Sequence, residues 1–134
     1  MLSRNMQKYF YDVYGRRVKY IPNGISRPPL REISEIRKRY GLEKDSYILF
    51  VARIVPEKGL HYLIRAFRLL DTEKRLVIAG GDGGSGQYLK QIVKMADEDP
   101  RIVMMGHMEG RALEELYSNA SFFVPVLLYT SRCV

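Results

Sequence analysis

The chain has 134 residues, 46% of them hydrophobic and 28% charged, an ordinary balance for one globular domain with a core of its own. Its 22 Lys and Arg against 15 Asp and Glu give a net charge of +7, which favours anionic partners without choosing among nucleic acid, a membrane surface and a phosphorylated small molecule. The single cysteine, Cys133, excludes a disulfide framework and a CxxC metal site, and no apolar run approaches membrane-spanning length.

The first residues lack the apolar core of a signal peptide, so the expectation is a cytoplasmic chain. Leu2, Met6, Tyr9, Phe10, Val13 and Tyr14 recur at helical spacing and predict a helix over 2–14 with one apolar face, ending at Gly15. A short strand is expected at 18–21. The "PNG" and "RPP" that follow are turn and linker chemistry and suggest a domain boundary. Leu30, Ile33, Ile36 and Tyr40 then trace a narrow apolar stripe on a basic helix closed by Gly41, with Glu35 and Arg39 paired one turn apart.

From Tyr47 onward strands and helices alternate. "YILFVA" is apolar on both faces, the pattern of a strand covered from either side. Leu60, Leu63, Ile64, Phe67 and Leu70 predict an amphipathic helix that starts through "PEKG". "RLVIAGG" and "RIVMMG" are further strands, and Tyr88, Leu89, Ile92, Met95 and Ala96 mark the helix between them. Leu113, Leu116 and Tyr117 mark a last helix before a fourth strand in "SFFVPV". This alternation predicts right-handed βαβ units on a parallel sheet, with ligands at the carboxyl ends of the strands. The loops that matter are therefore "RIVPEKG", "GGDGGSG" and "HMEGR".

Gly81, Gly83 and Gly86 satisfy the G-x-G-x-x-G spacing of a dinucleotide fingerprint in the right strand-to-helix context. The acid that such a site needs at the end of the next strand is absent, because that strand ends in Gly106 and His107. The loop is read as a flexible turn whose bare backbone lets something approach closely. Arg53 follows directly on a buried strand, and Lys58 lies five residues on, before Gly59. An Arg fork, a Lys point charge and free amides at a helix start together outline a diphosphate clamp. No Walker G-x-x-x-x-G-K-[ST] sequence occurs. His61 is expected on a polar helix face, His107 has no evident carboxylate partner, and Tyr117, Tyr88 and Phe67 are assigned to core stripes.

Taken in order, "YIPNGI", "LFVARIVPEKGLHYLIRAF", "LVIAGGDG" and "RIVMMGHMEGRALEELYSNASFFV" resemble the family 4 glycosyltransferases, also called glycosyl transferases group 1. The resemblance implies an α/β fold class, a Rossmann-like parallel sheet with flanking helices, as part of the C-terminal domain of a GT-B type enzyme. It implies a retaining transfer of sugar from a nucleotide-diphosphate-sugar to a sugar, polysaccharide or lipid-linked acceptor. No cofactor and no metal are expected, since the nucleotide-sugar is a substrate. Arg53 and Lys58 would hold the donor diphosphate, and Gly81 and Met108 would lie against the donor, Met108 by its main chain beside the base. Residues 1–17 would be the end of an acceptor domain, 18–45 the linker, and 46–126 part of the nucleotide-sugar-binding domain. Peripheral contact with the inner membrane surface is compatible with this reading, and no nucleic-acid partner is expected.

The family's acidic motif is expected just after "SFFV", where this chain reads "PVLLYTSRCV" instead. The stretch "LLYTSRCV" corresponds to a translated transposon adapter, so 127–134 are read as a non-native tail, and the polypeptide is expected to be inactive alone. Two other readings stand beside the glycosyltransferase. One is an NAD-type dinucleotide-binding oxidoreductase, resting on the glycine spacing. The other is a basic anion- or nucleic-acid-binding module, resting on the charge and on "RRVK" and "RKR".

Overall fold

In the computed structural model, residues 4–22, 24, 26, 28–84 and 86–126 are described. The expected tail at 127–134 lies outside them. Five helices, α1 (Arg4–Tyr14), α2 (Glu35–Tyr40), α3 (Leu60–Arg68), α4 (Gly86–Asp97) and α5 (Gly110–Asn119), accompany four strands. The strands are β1 (Tyr47–Val51), β2 (Arg75–Ala79), β3 (Ile102–Gly106) and β4 (Phe122–Phe123), and a 3₁₀ turn spans Pro56–Lys58. They form one parallel sheet in the order β3-β2-β1-β4. The fold class is the expected Rossmann-like α/β arrangement. No helix among the described residues is long and apolar enough to cross a membrane.

Two apolar layers explain why the central strands carry apolar residues without interruption. Phe50, Leu76 and Ile78 point to one face, where Leu60, Ile64 and Phe67 of α3 and Tyr88, Ile92 and Ala96 of α4 cover them. Tyr47, Leu49, Val77 and Ala79 point to the other, beneath Ile36 of α2 and Ala112 and Leu116 of α5. The strand period of two thus feeds two cores at once.

Four local expectations are corrected. Residues 18–21 form no strand: no neighbouring strand pairs with them, the Val18 carbonyl accepts a hydrogen bond from Gln7 Nε2 at 2.7 Å, and Ile21 is exposed. The helix expected from Leu30 starts only at Glu35, where Glu115 accepts the N–H groups of Ser34, Glu35 and Ile36, and Leu30 ahead of it is exposed. Its end is as expected, with Gly41 left-handed at φ 61° and its N–H donating to Arg37 O. Tyr117 is exposed rather than in the core and packs on Phe123 with ring centroids 5.2 Å apart. Helix α3 stops at Arg68, so Leu70 lies beyond its apolar stripe and is exposed.

A buried carboxylate on α5 fastens the start of α2. Glu115 on α5 is fully buried, and its Oε2 accepts the backbone N–H groups of Ser34, Glu35 and Ile36 at 3.0, 2.8 and 3.2 Å. These are the orphan donors at the start of α2, whose own N-cap Ser34 makes no side-chain cap. Burial alone pushes the Glu115 carboxyl up, but the three amides and Arg111, 3.4 Å from Oε1, hold it below the usual carboxylate range. Asn119 adds a hydrogen bond from Nδ2 to Arg31 O at 3.0 Å.

A group whose folded value is lowered stabilises the fold above its unfolded value and loses that contribution as pH falls through the folded one. Glu115→Gln therefore lowers the unfolding free energy at neutral pH by about 1–3 kcal/mol. In chemical unfolding of both chains, the gap is constant well above the unfolded-state value of about 4.3 and shrinks as the solution becomes more acidic.

Candidate functional site

The carboxyl ends of β1, β2 and β3 open into a cleft of about 270 Å³ lined by Arg53, Gly80, Gly81, His107, Met108 and Leu113, among others. A larger cavity of about 420 Å³ sits between the segment 30–33 and α5, beside Lys44 and Asn119. It lies toward the amino end of β1, where the Asp45 N–H donates to Asn119 O. In a parallel sheet the chemistry belongs at the other end.

Arg53 is held from both sides along the chain. Before it, the Ala52 N–H donates to Ala79 O at 3.2 Å; after it, the Ile54 N–H donates to Gly81 O at 3.0 Å. Ile54 is buried in the α3–α4 core and forms a parallel bridge with Asp82. The backbone is therefore fixed while the guanidinium is exposed. Lys58 ends the 3₁₀ turn, with Gly59 left-handed at φ 63° behind it, and is half-buried. The ion pairs among the described residues include neither Arg53 nor Lys58. Of the four residues singled out from the sequence, Arg53, Gly81 and Met108 line the cleft; Lys58 stands outside its lining.

The glycine loop has a physical explanation within the chain itself. A Cβ on Gly80 would stand 1.9 Å from Ala52 O, and one on Gly83 would stand 2.2 Å from Val55 Cγ1 and 3.6 Å from Arg53 Cβ. The approaching partner is the 52–55 segment, so these glycines let β2 and its loop lie flush against the Arg53 turn. Asp82 accepts the Gly84 N–H at 3.0 Å, placing a carboxylate where a dinucleotide fingerprint would offer bare amides to a pyrophosphate. The oxidoreductase reading loses its one support.

Three further expectations change. The start of α3 is not wholly a set of free amides, because the Tyr88 hydroxyl accepts the His61 N–H at 3.4 Å. His61 is half-buried, with Nδ1 2.8 Å from the same hydroxyl, rather than lying free on a polar face. His107 does have a carboxylate nearby: its Nε2 is 3.6 Å from Glu109 Oε2, both side chains being largely exposed. Among the described residues no three His, Cys, Asp or Glu side chains gather as a metal site would require. Met108 is half-buried and packs against the α2–α5 core while lining the cleft, which places the "GHMEG" loop along its third side.

Residues 32–128 match the family described as "Glycosyl transferases group 1". The chain belongs to this family. An uncharacterized glycosyltransferase of Methanocaldococcus jannaschii is 30% identical over 121 residues, covering 84% of this chain and 31% of that protein. The O-antigen chain mannosyltransferase B of Escherichia coli is 29% identical, over 75% of this chain and 27% of its own length. A GDP-mannose-dependent alpha-(1-6)-phosphatidylinositol monomannoside mannosyltransferase of Mycolicibacterium smegmatis is 31% identical, over 72% of this chain and 27% of its own. The sucrose-phosphate synthase of Thermosynechococcus elongatus shares the fold, with a TM-score of 0.67 at 20% identity, over 93% of this chain and 33% of that one. This group 1 chain thus spans between about a quarter and a third of the length of these relatives.

The glycine geometry makes a sharp contrast between neighbours. Gly80→Ala drives a methyl group into a backbone carbonyl and lowers stability by about 1–3 kcal/mol or more. Gly81→Ala, whose Cβ would meet only His107 Cβ at an ordinary 3.6 Å, leaves the thermal midpoint nearly unchanged. Paired melting curves of the two variants check this.

Proposed function

We propose that this chain is the donor-binding part of a retaining glycosyltransferase that moves a sugar from a nucleotide-diphosphate-sugar to a sugar, polysaccharide or lipid-linked acceptor. The observation that carries the proposal is that Arg53, fixed in backbone and free of any carboxylate pair among the described residues, shares one strand-end cleft with the glycine loop and the Met108 loop. The donor specified in the printed name of the mycobacterial relative, GDP-mannose, supports the substrate class.

Breaking a sugar–phosphate bond builds negative charge on the departing diphosphate. Cations already in place strengthen their hold as that charge grows, and so lower the barrier rather than only tightening the ground state. The Arg53 guanidinium can fork onto two phosphate oxygens, and the Lys58 ammonium, on a longer and more mobile stem, can follow the charge to the leaving group. The Tyr88 hydroxyl takes the His61 N–H, so the side-chain cations carry more of this task than the α3 amides. The loop at Gly81 and the main chain at Met108 would face the rest of the donor. Residues 1–17 are then the end of an acceptor-side domain and 18–45 the linker, in keeping with α1, which has no buried residue. Contact with the inner membrane surface fits a lipid-linked acceptor.

Calorimetric titration of the chain with UDP, GDP and NAD tests the reading. One of the nucleoside diphosphates binds and NAD does not. Arg53→Ala and Lys58→Ala each weaken that binding by about 1.5–3 kcal/mol, the scale of a hydrogen bond to a charged group. In an enzyme that includes an acceptor-side domain, each lowers kcat/KM by about 2–4 kcal/mol. Unchanged affinity in both variants sinks the clamp.

A further inference from the structure

Helix α3 begins at Leu60, and its N-cap, Gly59, has no side chain to accept an amide hydrogen. The Gly59 carbonyl accepts the N–H groups of Tyr62 and Leu63 at 2.9 and 3.3 Å, which leaves those of Leu60 and His61 to find an acceptor elsewhere. The acceptor comes instead from the neighbouring βα unit. Tyr88, in the first turn of α4, places its hydroxyl 3.4 Å from the His61 backbone nitrogen and 2.8 Å from His61 Nδ1. Its ring is buried, 7% exposed, and stands edge-on to the imidazole with centroids 5.8 Å apart at 90°. The His61 N–H donates to the hydroxyl oxygen, and the same hydroxyl shares a second hydrogen bond with Nδ1, in which the imidazole tautomer sets the donor. Burial pushes the Tyr88 hydroxyl up from the ordinary tyrosine range, while the His61 and Leu60 amides pull the other way.

Lys58, whose N–H donates to Val55 O at 3.0 Å, is separated from α3 only by Gly59, so the turn that carries it runs directly into the first turn of α3. We propose that the Tyr88 hydroxyl is the cap of α3 and thereby the positioning residue for Lys58, bolting the glycine-loop helix to the turn that presents the ammonium. The cap stands on geometry alone; the positioning role rests on Lys58 being a donor-binding residue. Tyr88 touches no donor in this scheme. It acts through the α3 start.

Tyr88→Phe keeps the buried ring and removes only the hydroxyl. Two measurements on the chain decide the matter: amide hydrogen exchange across 60–62, and calorimetric affinity for UDP and GDP. The His61 amide exchanges about fivefold faster in the variant, the scale of a lost helix cap. Affinity falls by about the same factor in the otherwise unchanged chain, and by nothing further when Lys58→Ala is already present, as two residues acting through one another require. Unchanged exchange overturns the cap. An equal loss of affinity in both backgrounds, or none in either, overturns the positioning role. Failure of the unmutated chain to bind either nucleotide overturns the donor-binding reading of Lys58 and the positioning role with it, while the exchange measurement still decides the cap.

Discussion

The backbone of Gly80 lies so close to the Ala52 carbonyl that a single added methyl group would stand 1.9 Å from its oxygen. At this crossing β1 and β2 stay in register to their last pair, Val51 with Ala79, and then continue into their loops still hydrogen-bonded, through Ile54 to Gly81. The Gly80 N–H reaches the other way to Gly106 O at 2.7 Å. One residue without a side chain therefore gathers three strand ends into one cleft. Any larger residue there would push apart the loops that hold Arg53 and His107.

The rest of the architecture keeps that crossing rigid from both sides. Below one face, α3 and α4 share a core with Phe50, Leu76 and Ile78, and their first turns are joined by Tyr88 and His61. Below the other, α5 takes hold of the start of α2 through Glu115, whose charge is stabilised by three amides rather than by a close hydrogen-bonded cation. A buried carboxylate in that setting is tolerable only because the amides already point at it. The same residue that caps α2 thus also fixes where the chain ahead of it meets α5.

Much of this was legible in the residues. The apolar runs of β1, β2 and β3 announced strands covered on both faces, and the stripe from Leu60 to Phe67 announced α3, because burial imposes those periods directly. Local chemistry misled where no partner was at hand. The segment 18–21 has strand-forming residues and no strand beside it, and Leu30 has helical spacing but lies exposed, ahead of the Ser34, Glu35 and Ile36 amides that Glu115 takes. Tyr117 has core spacing, yet it lies at an edge where β4 contributes only two residues.

The candidate site divides along the same line. The order of its motifs, the cations at Arg53 and Lys58 and the family itself follow from the amino-acid sequence, since they depend on which residues follow which. Tertiary structure alone decided that the glycines answer to Ala52 and Val55, that Tyr88 takes the start of α3, and that Lys58 stands outside the cleft lining that Arg53, Gly81 and Met108 share. Each of those facts is a contact between segments far apart in the chain. Spacing within a segment carries no information about the distance between two of them.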